Sequence, residues 1–158
     1  MKAEDLQIVS NLRKSGRISL TTLSKKNRVA HSTLFDRLHS KTFSFMRRYT
    51  VLLDFAKLGF SAHAYITLAV EKQDKQPLID HLLKSQNVNS LFRINNGWDV
   101  NIECIFKDMR GLENFVDQLD AKFKIRDKQV HYVIEELRRE SFLADPSLAQ
   151  MILPESQP

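Results

Sequence analysis

Read at 3.6 residues per turn, Ala30–Ser40 has two unlike faces. Ala30, Leu34 and Leu38 fall on one, and Ser32, Asp36 and His39 on the other, flanked by Thr33, Phe35 and Ser40. A helix of this kind fits a DNA major groove, where polar and apolar side chains meet base edges. Asp36 can accept from a cytosine amino group, and Phe35 can lie against a thymine methyl. His31, at the start of the same helix, joins this candidate group. Arg37 sits to the side, where it can reach a phosphate or pair with a nearby acid. Arg17, Lys41, Arg47 and Arg48 are candidates for phosphate contacts, which position a protein on the duplex without reading sequence. The competing expectation is plainer: Asp36 caps or solvates, and the cations are ordinary solvated charge.

A second constellation is Asn95-Asn96-Gly97-Trp98-Asp99. Glycine allows close backbone approach, the amides and Asp99 can bind an α-amino or carboxylate group, and Trp98 can wall the site. Asn-Gly is also a strong hairpin signal, so the same residues suit an ordinary turn with Trp98 in the core. Other chemistries find no footing. His31, His39, His63, His81 and His131 lack close pairs, and one cysteine cannot build a zinc cage. The sequence has no Gly-rich phosphate loop, nucleophile elbow or paired-carboxylate motif. No catalytic residue, metal or cofactor is therefore assigned.

The elements that must position these residues follow from periodicity. Leu6, Ile8, Val9 and Leu12 predict an amphipathic first helix, ended by Ser15-Gly16. Ser19 is suited to cap a second helix bearing Leu20 and Leu23, which Asn27 can close in the left-handed conformation. With the helix over 30–40, this is a helix-turn-helix pattern. Phe43–Leu53, rich in aromatic and β-branched residues, predicts a small hairpin or wing, followed by a connector over 54–59. Further on, Phe60–Val70 alternates cleanly, Gln76–Leu83 is helical, and Val88–Ile94 is a strand. Trp98–Phe106 alternates again, Met109–Phe123 is helical, and Gln129–Ile134 completes a β-α-β-β-α-β order, the ferredoxin-like arrangement. Such a sheet leaves one face without helices, suited to dimerisation or ligand binding. The expected boundaries are a winged helix-turn-helix domain at 1–53, a linker at 54–59, an α+β domain at 60–135 and a tail at 136–158. In the tail, Pro146 and Pro154 bracket about one helical turn near Leu148–Leu153.

Charge agrees with this division. Residues 1–59 hold twelve lysines and arginines against four acids, a net +8, while the remainder is −3. A cationic domain attracts polyanions by releasing their condensed counterions. The apolar share of 42% supports a packed core, and no apolar run approaches the roughly 20 residues needed to span a bilayer. The start, Met1-Lys2-Ala3-Glu4-Asp5, lacks the apolar stretch of a secretory signal, and Cys104 is the sole cysteine. A cytoplasmic, membrane-free protein is the expectation.

The residues that carry a family resemblance run in order. They are Asp5-x-x-Ile8-Val9-x-x-Leu12, Gly16-Arg17-Ile18-Ser19, Ser32-Thr33-Leu34-x-x-Arg37-Leu38, Arg48-Tyr49-Thr50-x-x-x-Asp54-x-x-Lys57-Leu58-Gly59, Gly97-x-Asp99 and Asp108. In this order and spacing the chain resembles the Lrp/AsnC, or feast/famine, regulators over about Asp5–Ile134. The resemblance implies a sequence-specific regulator that binds double-stranded DNA. It implies a homodimer formed through the C-terminal sheets and assembling to tetramers or octamers, with an amino-acid effector near the Gly-x-Asp loop. The chain departs from the family at three positions. Arg28 stands in the usual glycine slot of the turn, Ala30 where a capping serine is usual, and Ser44 in place of the wing glycine. Two alternatives accompany the resemblance: a degenerate member acting as a non-DNA-binding partner subunit, and an enzyme similar to the siroheme decarboxylases, which resemble the same two-domain fold.

Overall fold

The computed structural model describes residues 3–40 and 43–152. Lys41 and the end of the tail, including Pro154, lie outside the described residues. In chain order the elements begin with helices α1 (Ala3–Lys14), α2 (Leu20–Asn27) and α3 (His31–His39). Strand β1 (Ala62–Val70), helix α4 (Lys75–Leu82), strands β2 (Val88–Arg93) and β3 (Val100–Phe106), helix α5 (Met109–Lys122), strand β4 (Ile125–Tyr132) and helix α6 (Pro146–Ile152) follow. The chain divides into two compact units, one made of residues up to Leu52 together with those from Leu137 onward, the other of Leu53–Glu136.

In the first unit, the apolar stripes of α1, α2 and α3 meet in a core of Ile8, Val9, Leu23, Leu34 and Phe43. Leu12, Ile18, Leu20, Val29, Leu38 and Met46 pack around it. Ser19 caps α2 by accepting from the Thr22 amide at 3.1 Å. The turn that follows differs from expectation, because Arg28 rather than Asn27 takes the left-handed conformation (φ 53°). Asn27 remains helical because its side-chain amide donates back to the Leu23 carbonyl at 2.7 Å, which holds it within the last turn. Ala30 offers α3 no side-chain cap.

The hairpin expected over 43–53 is also not formed within the chain. Phe43 and Met46 are spaced by three rather than two, and both turn toward the core. Successive turn bonds, Phe43 N–H to Ser40 carbonyl (3.2 Å) and Met46 N–H to Phe43 carbonyl (2.9 Å), displace a ladder. Arg47–Leu53 then runs exposed and unladdered, consistent with the marginal stability of an isolated two-stranded hairpin in water. The tail forms a fuller helix than one turn. Asp145 caps α6 through the Ser147 amide (2.9 Å), with Pro146 at its first position, and the helix packs against α1. Arg13 of α1 reinforces this packing by donating to both the carbonyl and the carboxylate of Glu140.

The second unit is a four-stranded sheet in the order β2-β3-β1-β4, with all neighbours antiparallel. Period-2 alternation places Ala62, Ala64, Ile66, Leu68 and Val70 on one face, packed against Leu78 and Leu82 of α4 and Leu112, Phe115, Val116 and Leu119 of α5. Each fully buried leucine of this set contributes about 1.5–3 kcal/mol of burial free energy. The fourth strand begins at Ile125, four residues before its expected start. A register shift opposite Ala69/Val70 breaks the alternation there, so backbone pairing with β1 carries a polar segment that side-chain periodicity does not mark.

Candidate nucleic-acid interface and effector loop

The helix-turn-helix places α3 with Leu34 fully buried and Leu38 half-buried. This rotation leaves His31, Ser32, Thr33, Phe35, Asp36 and His39 exposed, with His31 and Thr33 at the two edges of the outward face. Ser32, Phe35, Asp36 and His39, at i, i+3, i+4 and i+7, form a continuous stripe. Phe35 and His39 stack with ring centroids 4.2 Å apart, and His39 Nδ1 lies 2.9 Å from the Phe35 carbonyl. Arg37 is held elsewhere: its Nη1 lies 2.8 Å from Glu4 and 3.5 Å from Asp5 on α1, so its guanidinium braces α3 against α1. Arg17, Arg47 and Arg48 are exposed in the same unit, and Lys41 lies outside the described residues. Within this unit Gly16 passes close to the backbone carbonyl of Thr50, 3.9 Å from where a Cβ would stand.

The loop before β3 is a tight turn. Trp98 N–H reaches the Asn95 carbonyl at 3.4 Å, and Asn96 (φ 60°) and Gly97 (φ 89°) both occupy the left-handed region that a type I′ turn requires. Asn95, Asn96 and Gly97 are exposed, while Trp98 is half-buried rather than in the core. Asp99 is deeply engaged. Its Oδ2 accepts from the Val70 amide at 2.9 Å, its Oδ1 lies 2.5 Å from Lys75 Nζ, and Arg126 Nη2 is 3.7 Å away. Burial raises its pKa, but the hydrogen bonds from Lys75 and Val70 and the Lys75 and Arg126 charges outweigh it, so the carboxyl lies below its ordinary range. Asp99 therefore ties the start of β3 to the end of β1 and carries two cations at its outer edge. An incoming ammonium group would compete with Lys75 for the same oxygens.

A third cluster escapes pattern reading. On the sheet face opposite the helices, Glu103 is buried and fully engaged. It accepts from Ser90 Oγ (2.6 Å) and Asn89 Nδ2 (2.7 Å), and His63 Nε2 lies 3.1 Å from its other oxygen. Burial raises its pKa, and the Ser90, Asn89 and His63 contacts together lower it further than burial lifts it. The neighbouring Cys104 thiol, turned to the core, is pushed up to about 12 by burial and the Glu103 charge. The available signal was a charged residue in phase with His63 across two largely apolar strands; Lys75 and Arg126 gave no comparable signal for their meeting at Asp99.

The profile of the Lrp/AsnC ligand binding domain matches residues 63–142, half of the chain. Among curated proteins, the chain is similar to the HTH-type transcriptional regulator FL11 of Pyrococcus abyssi, 24% identical over 118 residues, covering 74% of this chain and 78% of that protein. Among solved structures it is similar to LrpC of Bacillus subtilis, with a TM-score of 0.78 at 19% identity over 87% of this chain and 97% of that one. The transcriptional regulator NMB0573 of Neisseria meningitidis, solved with L-methionine, gives a TM-score of 0.79 at 22% identity over 88% and 93% of the two chains. The last two likenesses concern the fold: a helix-turn-helix followed by a ferredoxin-like domain. With the profile match spanning the sheet unit, the chain belongs to the Lrp/AsnC family of transcription regulators.

Proposed function

We propose that the chain is a sequence-specific DNA-binding regulator that acts in the cytoplasm by binding rather than by catalysis. Duplex DNA lies along the exposed side of α3, where His31, Ser32, Thr33, Phe35, Asp36 and His39 meet base edges. Arg17, Lys41, Arg47 and Arg48 hold phosphates and supply most of the salt-sensitive affinity. The observation that carries this reading is the rotation of α3: Leu34 is anchored in the core and the Ser32–Phe35–Asp36–His39 stripe faces out. The helix-free sheet face of the second unit supports a homodimer through an isologous contact, with further assembly to tetramers or octamers. An amino acid binding near Asn95–Asp99, as the L-methionine of the Neisseria relative suggests, would act as effector by competing for Asp99.

Selection of bound fragments from genomic DNA by the purified chain, with and without a panel of amino acids, tests this reading. Recovery of a roughly two-fold-symmetric motif whose occupancy changes with one amino acid is expected. Failure to enrich any motif at low salt, with the protein folded, would overturn it.

A further inference from the structure

The exposed stripe of α3 has an unusual donor and acceptor balance. The helix contains no lysine, asparagine or glutamine, and its one arginine, Arg37, is drawn onto Glu4 and Asp5 of α1. Asp36 is exposed and, as a carboxylate, accepts only. His39 is set by its own helix: Nδ1 lies 2.9 Å from the Phe35 carbonyl, and a carbonyl cannot donate, so Nδ1 carries the proton. In the neutral ring Nε2 is then a lone-pair acceptor. The Phe35 ring, 47% exposed and stacked on His39 at 4.2 Å, fixes the imidazole and presents an apolar plate beside it. Ser32 and Thr33 hydroxyls donate or accept as required, so they set no sign. The stripe thus offers two acceptors and an apolar ring where a guanine-reading helix would offer a fork of donors.

We infer that α3 selects cytosine or adenine, and rejects guanine, at the bases facing Asp36 and His39, with a thymine methyl against Phe35. Cytosine N4 and adenine N6 are the major-groove donors that such acceptors can meet. Guanine offers O6 and N7, both acceptors, and would leave two desolvated acceptors face to face. Rejection is therefore as much a part of the readout as attraction. The inference rests on the proposal that α3 is the helix that contacts bases.

The test is selection from a random duplex library near pH 8. It uses the full chain and three variants at exposed positions: His39→Arg, Asp36→Asn and Phe35→Ala. The wild-type site is expected to carry cytosine or adenine at two positions of each half-site and thymine at a third. His39→Arg should convert one of these to guanine, Asp36→Asn should narrow another to adenine, and Phe35→Ala should erase the thymine preference. Each change should alter relative affinity about 5- to 150-fold. A site that responds to these substitutions but carries guanine at the wild-type positions overturns the inference alone. A protein that selects no sequence, or a site that no α3 substitution alters, overturns the role of α3 and the inference with it.

Discussion

Among the described residues, the main apolar cluster of the helix-turn-helix unit holds five buried side chains, whereas that of the sheet unit holds sixteen. The smaller core also accepts local irregularities that the larger one does not need. Arg28 sits in the left-handed region at an expense of about 1–2 kcal/mol for a residue with a Cβ. The next helix starts at Ala30 without a side-chain cap. The sheet unit instead places its left-handed backbone at Gly59, Asn96 and Gly97, residue types that adopt it readily. Its buried carboxylate, Glu103, is matched by three polar neighbours. One unit has a small core beneath the exposed face of α3, and the other is a well-filled scaffold.

If the thin core governs the first unit, Leu34→Ala should have the largest effect. Removing a fully buried leucine from this five-residue apolar cluster costs about 3 kcal/mol, within the usual range of roughly 2–5. Calorimetry should show the first unit melting early while the sheet unit keeps its transition, and DNA binding should vanish. A single shared transition moving as one would break the division between the units.

An intermediate effect is expected at Glu103. Its folded pKa is lowered, so its charge stabilises the fold fully above the unfolded value near 4.5 and loses that contribution as pH falls through the lower folded value. Glu103→Gln should destabilise the sheet unit by about 2 kcal/mol at neutral pH, as for loss of hydrogen bonds to a charged group. The variant should also flatten the acid limb of a thermal-stability profile below pH 4.5. An unchanged acid limb would remove Glu103 as its cause.

The smallest effects should favour the protein. Arg28→Gly relieves the left-handed backbone, and Ala30→Ser supplies the missing cap, each worth about 1 kcal/mol in the first unit. Chemical denaturation followed through that unit should show both gains, additive to within a few tenths for sites two residues apart only if they do not couple. No gain at Arg28→Gly would mean that the turn is not strained.

The contrast between units also explains what the residues disclosed in advance. The ferredoxin-like order and the β1 face were legible because Ala62 to Leu68 alternate between apolar and more polar positions. The helix-turn-helix was legible from Leu23, Leu34 and Leu38 at helical spacing. The hairpin over 43–53 was misread because aromatic and β-branched content outweighed the three-residue spacing of Phe43 and Met46. Asn27 was given the left-handed role by propensity, yet its side chain found a helical carbonyl first. The start of β4 lay hidden behind a register shift. At the candidate sites, residue types named Asp99 and Arg37, but not that Lys75 would hold the first and Glu4 the second. Those partners come from distant segments, and no local period records them.

In the proposed function, the exposed side of α3 and its surrounding cations grip duplex DNA. Fluorescence anisotropy with a selected duplex across a salt series tests it directly, comparing the full chain with an Arg17→Ala, Arg47→Ala, Arg48→Ala triple variant. Steep salt dependence is expected for the wild type, with the log–log slope reduced by about three units in the variant, one for each phosphate no longer neutralised. Undiminished slope in the variant, or binding by the wild type that ignores salt, would contradict it.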